Sequence, residues 1–210
     1  SHRTPKFPVA TTRPSFLSSL LLTVIPFSMI TPCLIGMLNY DFLWAEAEHS
    51  SASPESIERM IIAAERRGMP TLVRVGTGAS TGDMLKHLVS GAQGIILPQC
   101  ESKDDAVKVV EAVKFPPLGK RGLARDRWNS WGMGTVPKSA ESESDRSIDT
   151  FERRVEIANQ NSVVGVMIEN AAGVEALDDI LQVRTRTQTH IRTHTHTQTH
   201  TQAQTHTVIV

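Results

Sequence analysis

The chain has 210 residues, enough for one ordinary domain with a real core. Lys+Arg and Asp+Glu both number 22, so no net charge draws it to nucleic acid or to an anionic membrane. Its two cysteines, Cys33 and Cys100, form neither a CxxC pair nor a disulfide framework, which fits a reducing, cytoplasmic setting.

Composition changes sharply along the chain and divides it into residues 1–38, 39–183 and 184–210. Phe16 to Leu38 carries no charge and is long enough for a membrane-spanning helix of roughly 20 residues. Pro26 and Pro32 interrupt it, and Ser and Thr are scattered through it. The expectation is a hydrophobic leader standing where a first strand and helix belong, with secretory or organelle targeting as the alternative.

The middle alternates short apolar runs with amphipathic ones. Phe42-Leu43-Trp44 reads as a buried strand running into acidic and imidazole groups. Ser53-Pro54-Glu55 is a helix start, with Ser as N-cap, Pro in the first turn and Glu beside it. Ile57, Met60, Ile61 and Ala64 follow at helical spacing, and Gly68 closes the element. Residues 69–75 are β-type. A helix from about Gly82 to Ser90 is expected to bury Met84, Leu85, Leu88 and Val89, with Gly91 as its stop.

Gly94 to Pro98 is again strand-like, and Ser102 with Asp105 resembles a capping box. Ala106, Val109, Val110 and Val113 make the next helical stripe. Gly119-Lys120-Arg121-Gly122 reads as a turn with exposed charges, and the polar stretch from Leu123 to Arg146 as a lid, a subunit contact or disorder. Phe151 to Gln160 is a helix, Val163 to Ile168 an apolar strand ending at Glu169, and a last helix carries Val174, Leu177 and Leu181.

Such alternation predicts a parallel sheet buried on both faces, either doubly wound or a barrel. No GxGxxG follows the first strand, which counts against a dinucleotide-binding fold. Polar residues sit just past several strand ends: Glu46, Glu48 and His49, then Arg74, Gln99 and Glu169. A (β/α)8 barrel places its reactive groups at that rim, although such barrels typically need roughly 250 residues.

From Arg184 to Thr207 Thr alternates with His, Gln and Arg. In a strand, His190, His194, His196 and His200 would share a face and could hold zinc or nickel loosely. The tract has almost nothing apolar to bury, and the expectation is a disordered translated simple repeat.

Asp41 to Val183 resembles the HpcH/HpaI aldolase and citrate-lyase family. The resemblance lies in AEAEH at 45–49, SPESIERMIIAAERRGMPTLVRV at 53–75, SGAQGIILPQCES at 90–102, FPPLGKRGL at 115–123 and VVGVMIENAAGVEALDDI at 163–180. It implies an α/β fold, part of a TIM (β/α)8 barrel of the phosphoenolpyruvate/pyruvate-binding type. It also implies cleavage of 4-hydroxy-2-oxo acids to pyruvate and an aldehyde, assisted by a divalent metal (Mg2+, Mn2+ or Co2+) acting as Lewis acid on an enolate. Small 2-oxo acids and aldehydes are then the ligands, and a homo-oligomer is expected.

Residue by residue, the resemblance makes His49 the base that handles the hydroxyl proton and Arg74 the donor to the keto oxygen. Glu46 takes the place of an Asp that pairs with the His and is expected to orient the imidazole. Glu169 is one carboxylate metal ligand. Met167 stands where Gln is frequent, and Val89 where Asp is frequent. A second carboxylate ligand, expected after Val183 in a GPxDLS-like strand, is not recognisable, so impaired chemistry is expected. An inactive binding or metal-chelating protein and a citrate-lyase-like CoA-ester lyase are the alternatives.

Overall fold

The computed structural model describes residues 21–24, 32, 36, 37, 40–132, 151–183 and 206–209. Six strands form one sheet in chain order: β1 Leu21–Val24, β2 Phe42–Glu46, β3 Thr71–Arg74, β4 Gly94–Leu97, β5 Val163–Ile168 and β6 His206–Ile209. The first five are mutually parallel. Helices α1 Pro54–Glu65, α2 Thr81–Val89, α3 Lys103–Val113 and α4 Phe151–Asn161 lie between them, and α5 Ala171–Glu175 and α6 Leu177–Leu181 follow β5. With every crossover of one hand, an unreversed strand order puts all the helices on one face. That is the winding of a barrel sector; a doubly wound sheet reverses its order at a switch point.

The two faces are filled differently. Leu43, Ala45, Val73, Ile95, Val164 and Val166 pack with α1, α2, α3 and α6 in the main core. One residue out of phase, Trp44, Leu72, Ile96 and Met167 form a second apolar layer on the opposite face. The period of two carries that second face on to Glu46, Arg74 and Glu169, each two residues beyond a layer member. Close strand approach is built in at Gly94, where a Cβ would meet the Val163 carbonyl oxygen at 2.5 Å.

The helix starts follow local chemistry. Ser53 caps α1 by accepting from the Ser56 N–H, and Ile57, Met60, Ile61 and Ala64 are buried as the spacing predicts. Gly68 then takes φ +70, a region open to glycine. A full capping box is present at Ser80 and Asp83, where the sequence reading had placed no N-cap. On α2 the buried residues are Met84, His87 and Leu88, whereas Leu85 and Val89 are only partly covered.

Three expectations need correction. The final helix is two short ones meeting at Ala176, and Val174 is exposed while Gly173 and Ile180 are buried. Arg121 is not an exposed charge: its guanidinium lies 4.6 Å from the Phe115 ring centre and 5.6 Å from that of Trp128, and Nη2 donates to the Leu88 carbonyl. The loop that supplies Trp128 is itself pinned, with Arg127 on Glu65 and on the Ser90 carbonyl. Within the apolar leader, Leu21–Val24 is a strand paired on β2, and no helix among the described residues is long and apolar enough to cross a membrane.

Of the Thr/His tract, His206–Ile209 pairs antiparallel on β5, covering that edge. His190, His194, His196 and His200 lie outside the described residues, as does the 133–146 part of the polar stretch.

A polar clamp at the far end of the sheet sets β5 beside β4. Lys114, fully buried, donates through Nζ to the carbonyls of Asn159 and Ser162 at 2.6 and 2.7 Å. Burial pushes its ammonium down to about 8. The Asn159 side chain in turn accepts from the Phe115 N–H and donates to the Phe115 carbonyl. Replacing Lys114 with Met leaves two buried carbonyls without their donor, an expected loss of about 2–4 kcal/mol. An unfolding free energy from urea titration within about 0.5 kcal/mol of wild type would show that the clamp is not structural.

Candidate active site

Register brings the first two site residues together. Glu46 and Arg74 are neighbours on adjacent parallel strands, β2 and β3, and both end their strand on the inner face. Arg74 donates to Glu46 Oε2 through Nε at 2.7 Å, and its Nη2 lies 2.6 Å from the same oxygen. The side chains are 14% and 3% exposed, so the pair sits in a poorly solvated site.

Glu46 Oε1 is also committed. It accepts from the backbone N–H of Glu48 at 2.7 Å and of His49 at 3.0 Å, while the Glu46 carbonyl takes the Ser50 hydroxyl. Burial alone would raise the Glu46 carboxyl. The Arg74 hydrogen bond, the two backbone N–H groups and the Arg74 charge together outweigh that and hold it below its usual value. Among the described contacts the Glu46 carboxylate holds Arg74 and the backbone of the turn, not the imidazole.

The carboxylate facing the His49 ring is that of Glu48, with Oε2 3.5 Å from Nε2. Glu48 Oε2 is also 3.3 Å from Arg74 Nη1, and Oε1 accepts from the Thr77 hydroxyl at 2.5 Å. His49 itself is 74% exposed, open to anything that binds at the rim. Beyond Glu48, Arg74 Nη1 contacts the Met167 sulfur at 4.0 Å, a weak contact that an incoming oxyanion can replace.

Glu169 lies just past β5, where its Oε2 accepts from the Gln99 N–H at 2.9 Å. Gln99 takes φ 49 to present that N–H. The described residues thus place Glu46, Glu48, His49, Arg74, Gln99 and Glu169 along one rim, at the C-terminal ends of β2 to β5. A divalent metal does not fit them by themselves. Both Glu46 oxygens are taken, Glu169 is a single arm, and no group of three His, Cys, Asp or Glu among the described residues could hold an ion.

Sequence reasoning singled out neither Thr77 nor His87. Both line a cavity of about 330 Å3 beside the β2 and β3 ends, with Ala47, Val75, Gly76 and Asp83. Burial pushes the His87 imidazole down, against the pull of Asp83, and its Nδ1 has no partner. Neither residue belongs to a local pattern, and only the β3–α2 connection brings them here.

The model of the HpcH/HpaI aldolase/citrate lyase family matches residues 28–191. The hydroxypyruvate/pyruvate aldolase of Roseobacter denitrificans is 27% identical over 71% of this chain and 52% of its own. The 4-hydroxy-4-methyl-2-oxoglutarate aldolase cghB of Chaetomium globosum is 30% identical over 71% of this chain and 51% of its own. Both names are those of aldolases of small 2-oxo acids. The chain spans about half the length of the curated relatives it matches. Among solved structures, citrate synthase SbnG aligns at 27% identity and TM-score 0.62, over 78% of this chain and 57% of its own. The HpcH/HpaI aldolase of Desulfitobacterium hafniense aligns at 21% identity and TM-score 0.61, over the same shares, and supports the fold.

The Glu46 contacts have a pH signature. Because the folded carboxyl titrates below its usual 4.5, its stabilisation is complete above that value and is lost as pH falls through the folded one. Wild type is therefore expected to exceed Glu46→Gln in urea midpoint at pH 7, with the gap closing below about pH 4.5. A gap unchanged down to pH 3 would mean that the ionised carboxylate contributes nothing.

Proposed function

The chain belongs to the HpcH/HpaI aldolase/citrate lyase family, and from that premise we propose that it carries the proton-handling half of an aldolase site. The reaction is retro-aldol cleavage of a 4-hydroxy-2-oxo acid to pyruvate and an aldehyde. The observation that supports the reading best is Arg74, clamped by Glu46 with Nη1 turned toward the rim that His49 and Glu169 share.

Neutral His49 removes the proton from the C4 hydroxyl of the substrate. The C3–C4 bond breaks as the C4 carbonyl forms, releasing the aldehyde, and its electron pair moves toward the C2 keto oxygen. Arg74, a fixed and always charged donor, stabilises that enolate oxygen. The proton that His49 took, or one exchanged with water at its ring, is delivered to C3, which yields pyruvate and restores the base. Holding Arg74 by its Nε and Nη2 edge orients the guanidinium before the substrate arrives, and the oxyanion takes up Nη1 in exchange for its longer contacts to Glu48 and the Met167 sulfur.

The divalent cation that the resemblance implies, Mg2+, Mn2+ or Co2+, needs donors beyond the described residues, and each step above rests on this chain's own groups. The incomplete donor set favours a second reading, in which the chain is a catalytically inactive member that binds 2-oxo acids. The cytoplasmic setting and a homo-oligomeric state are part of the first reading.

The two separate on one assay. The full chain, supplied with Mn2+ or Mg2+, is expected to release pyruvate slowly from a 4-hydroxy-2-oxo acid, and His49→Ala and Arg74→Lys to fall to the uncatalysed rate. General-base and oxyanion losses of this kind are each about 100-fold or more. No pyruvate above background from the wild-type chain would replace the aldolase reading with the binding one.

A further inference from the structure

We propose that Glu48, and not Glu46, is the positioning residue for His49. The inference rests on the reading of His49 as the base and deepens it. Glu46 has no capacity left for a ring: Oε2 takes two nitrogens of Arg74, and Oε1 takes two backbone N–H groups. Its effect on His49 ends at the main chain.

Glu48 is arranged for the ring. Although it sits in a turn, its side chain is only 7% exposed, while that of His49 is 74% exposed. Thr77 from the β3–α2 connection fixes Oε1 at 2.5 Å, and Arg74 Nη1 fixes Oε2 at 3.3 Å. A carboxylate anchored from two other segments, with one oxygen 3.5 Å from His49 Nε2, gives an exposed ring its one charged neighbour among the described contacts. A neutral ring whose Nε2 carries the hydrogen toward Glu48 has Nδ1 as its proton acceptor.

Division of labour follows. Glu46 sets where the His49 backbone is, Glu48 sets how its ring is turned, and Arg74 touches both carboxylates, so donor and base are located from one guanidinium. Thr77 is the outer anchor, which makes the cavity-lining β3–α2 connection part of the positioning apparatus.

The test uses ring dynamics, which a purely structural role for Glu48 would leave unchanged. Carbon-13 relaxation of the His49 ring is measured in the full chain, with His49→Asn for assignment. In wild type the ring is expected to be ordered like rigid backbone, with an order parameter of about 0.8. In Glu48→Gln and Thr77→Val it is expected to drop below about 0.6, while Glu46→Gln keeps it high. Thr77→Val carries the test if Glu48→Gln does not fold. A ring mobile in wild type, or ordered in both variants, overturns the proposal.

Activity supplies the second arm. Glu48→Gln is expected to lower kcat about tenfold, with KM within about threefold. A rise in KM at constant kcat would assign Glu48 to binding and overturn the positioning role. If wild type cleaves nothing, the aldolase reading falls, and the relaxation arm still decides what Glu48 does.

Discussion

The contact between Arg74 and Glu46 is the constraint on which the rest of the rim depends. Parallel register sets the two side by side at the ends of β2 and β3, on the face that holds Trp44 and Leu72 below them. In so poorly solvated a place a lone carboxylate or guanidinium would be strongly unfavourable, and the pair is tolerated because each satisfies the other. Glu46 then passes the constraint on, since its second oxygen gathers the N–H groups of Glu48 and His49. Ala47 N–H on the Arg74 carbonyl at 3.0 Å continues the β2–β3 ladder up to that turn. One ion pair thereby joins strand ends, turn geometry and the direction of Arg74 Nη1.

The substitution of Glu for Asp at position 46 takes on a different meaning in this light. The resemblance implies that this longer arm orients the imidazole. Instead it lets one carboxylate reach both a neighbouring strand's guanidinium and its own turn, and the ring's neighbour becomes Glu48. Arg74 consequently faces two carboxylates, and an anionic substrate approaches a donor that is already partly neutralised. On the proposed reading, that is a physical reason to expect weak binding of a 2-oxo acid.

What could be read from the sequence is what depends on near neighbours. The Ser53 cap, the α1 and α3 stripes and the polar rim past each strand follow from spacing alone, and the long ordered motifs carried the family. Where contacts cross the chain, the reading failed or fell silent. Arg121 was taken as exposed because nothing in Gly-Lys-Arg-Gly announces that Phe115 and Trp128 will enclose it. His87 is polar by residue type and falls outside the apolar stripe, yet α2 buries it along with Met84 and Leu88. The Glu46–Arg74 contact has no local signature because a parallel strand pair sets it. Glu169 lies just past β5, and the Gln99 N–H on it depends on a left-handed backbone at a residue that does not advertise one.

The most direct measurement of the central claim is a double-mutant cycle on stability, using Glu46→Gln, Arg74→Met and the pair together. If the contact organises the rim, each single variant leaves a buried charge unpaired and the double variant recovers part of the loss. A coupling of about 2–4 kcal/mol is predicted. Strict additivity, with coupling under about 0.5 kcal/mol, would contradict the account and leave Arg74 and Glu46 as independent neighbours.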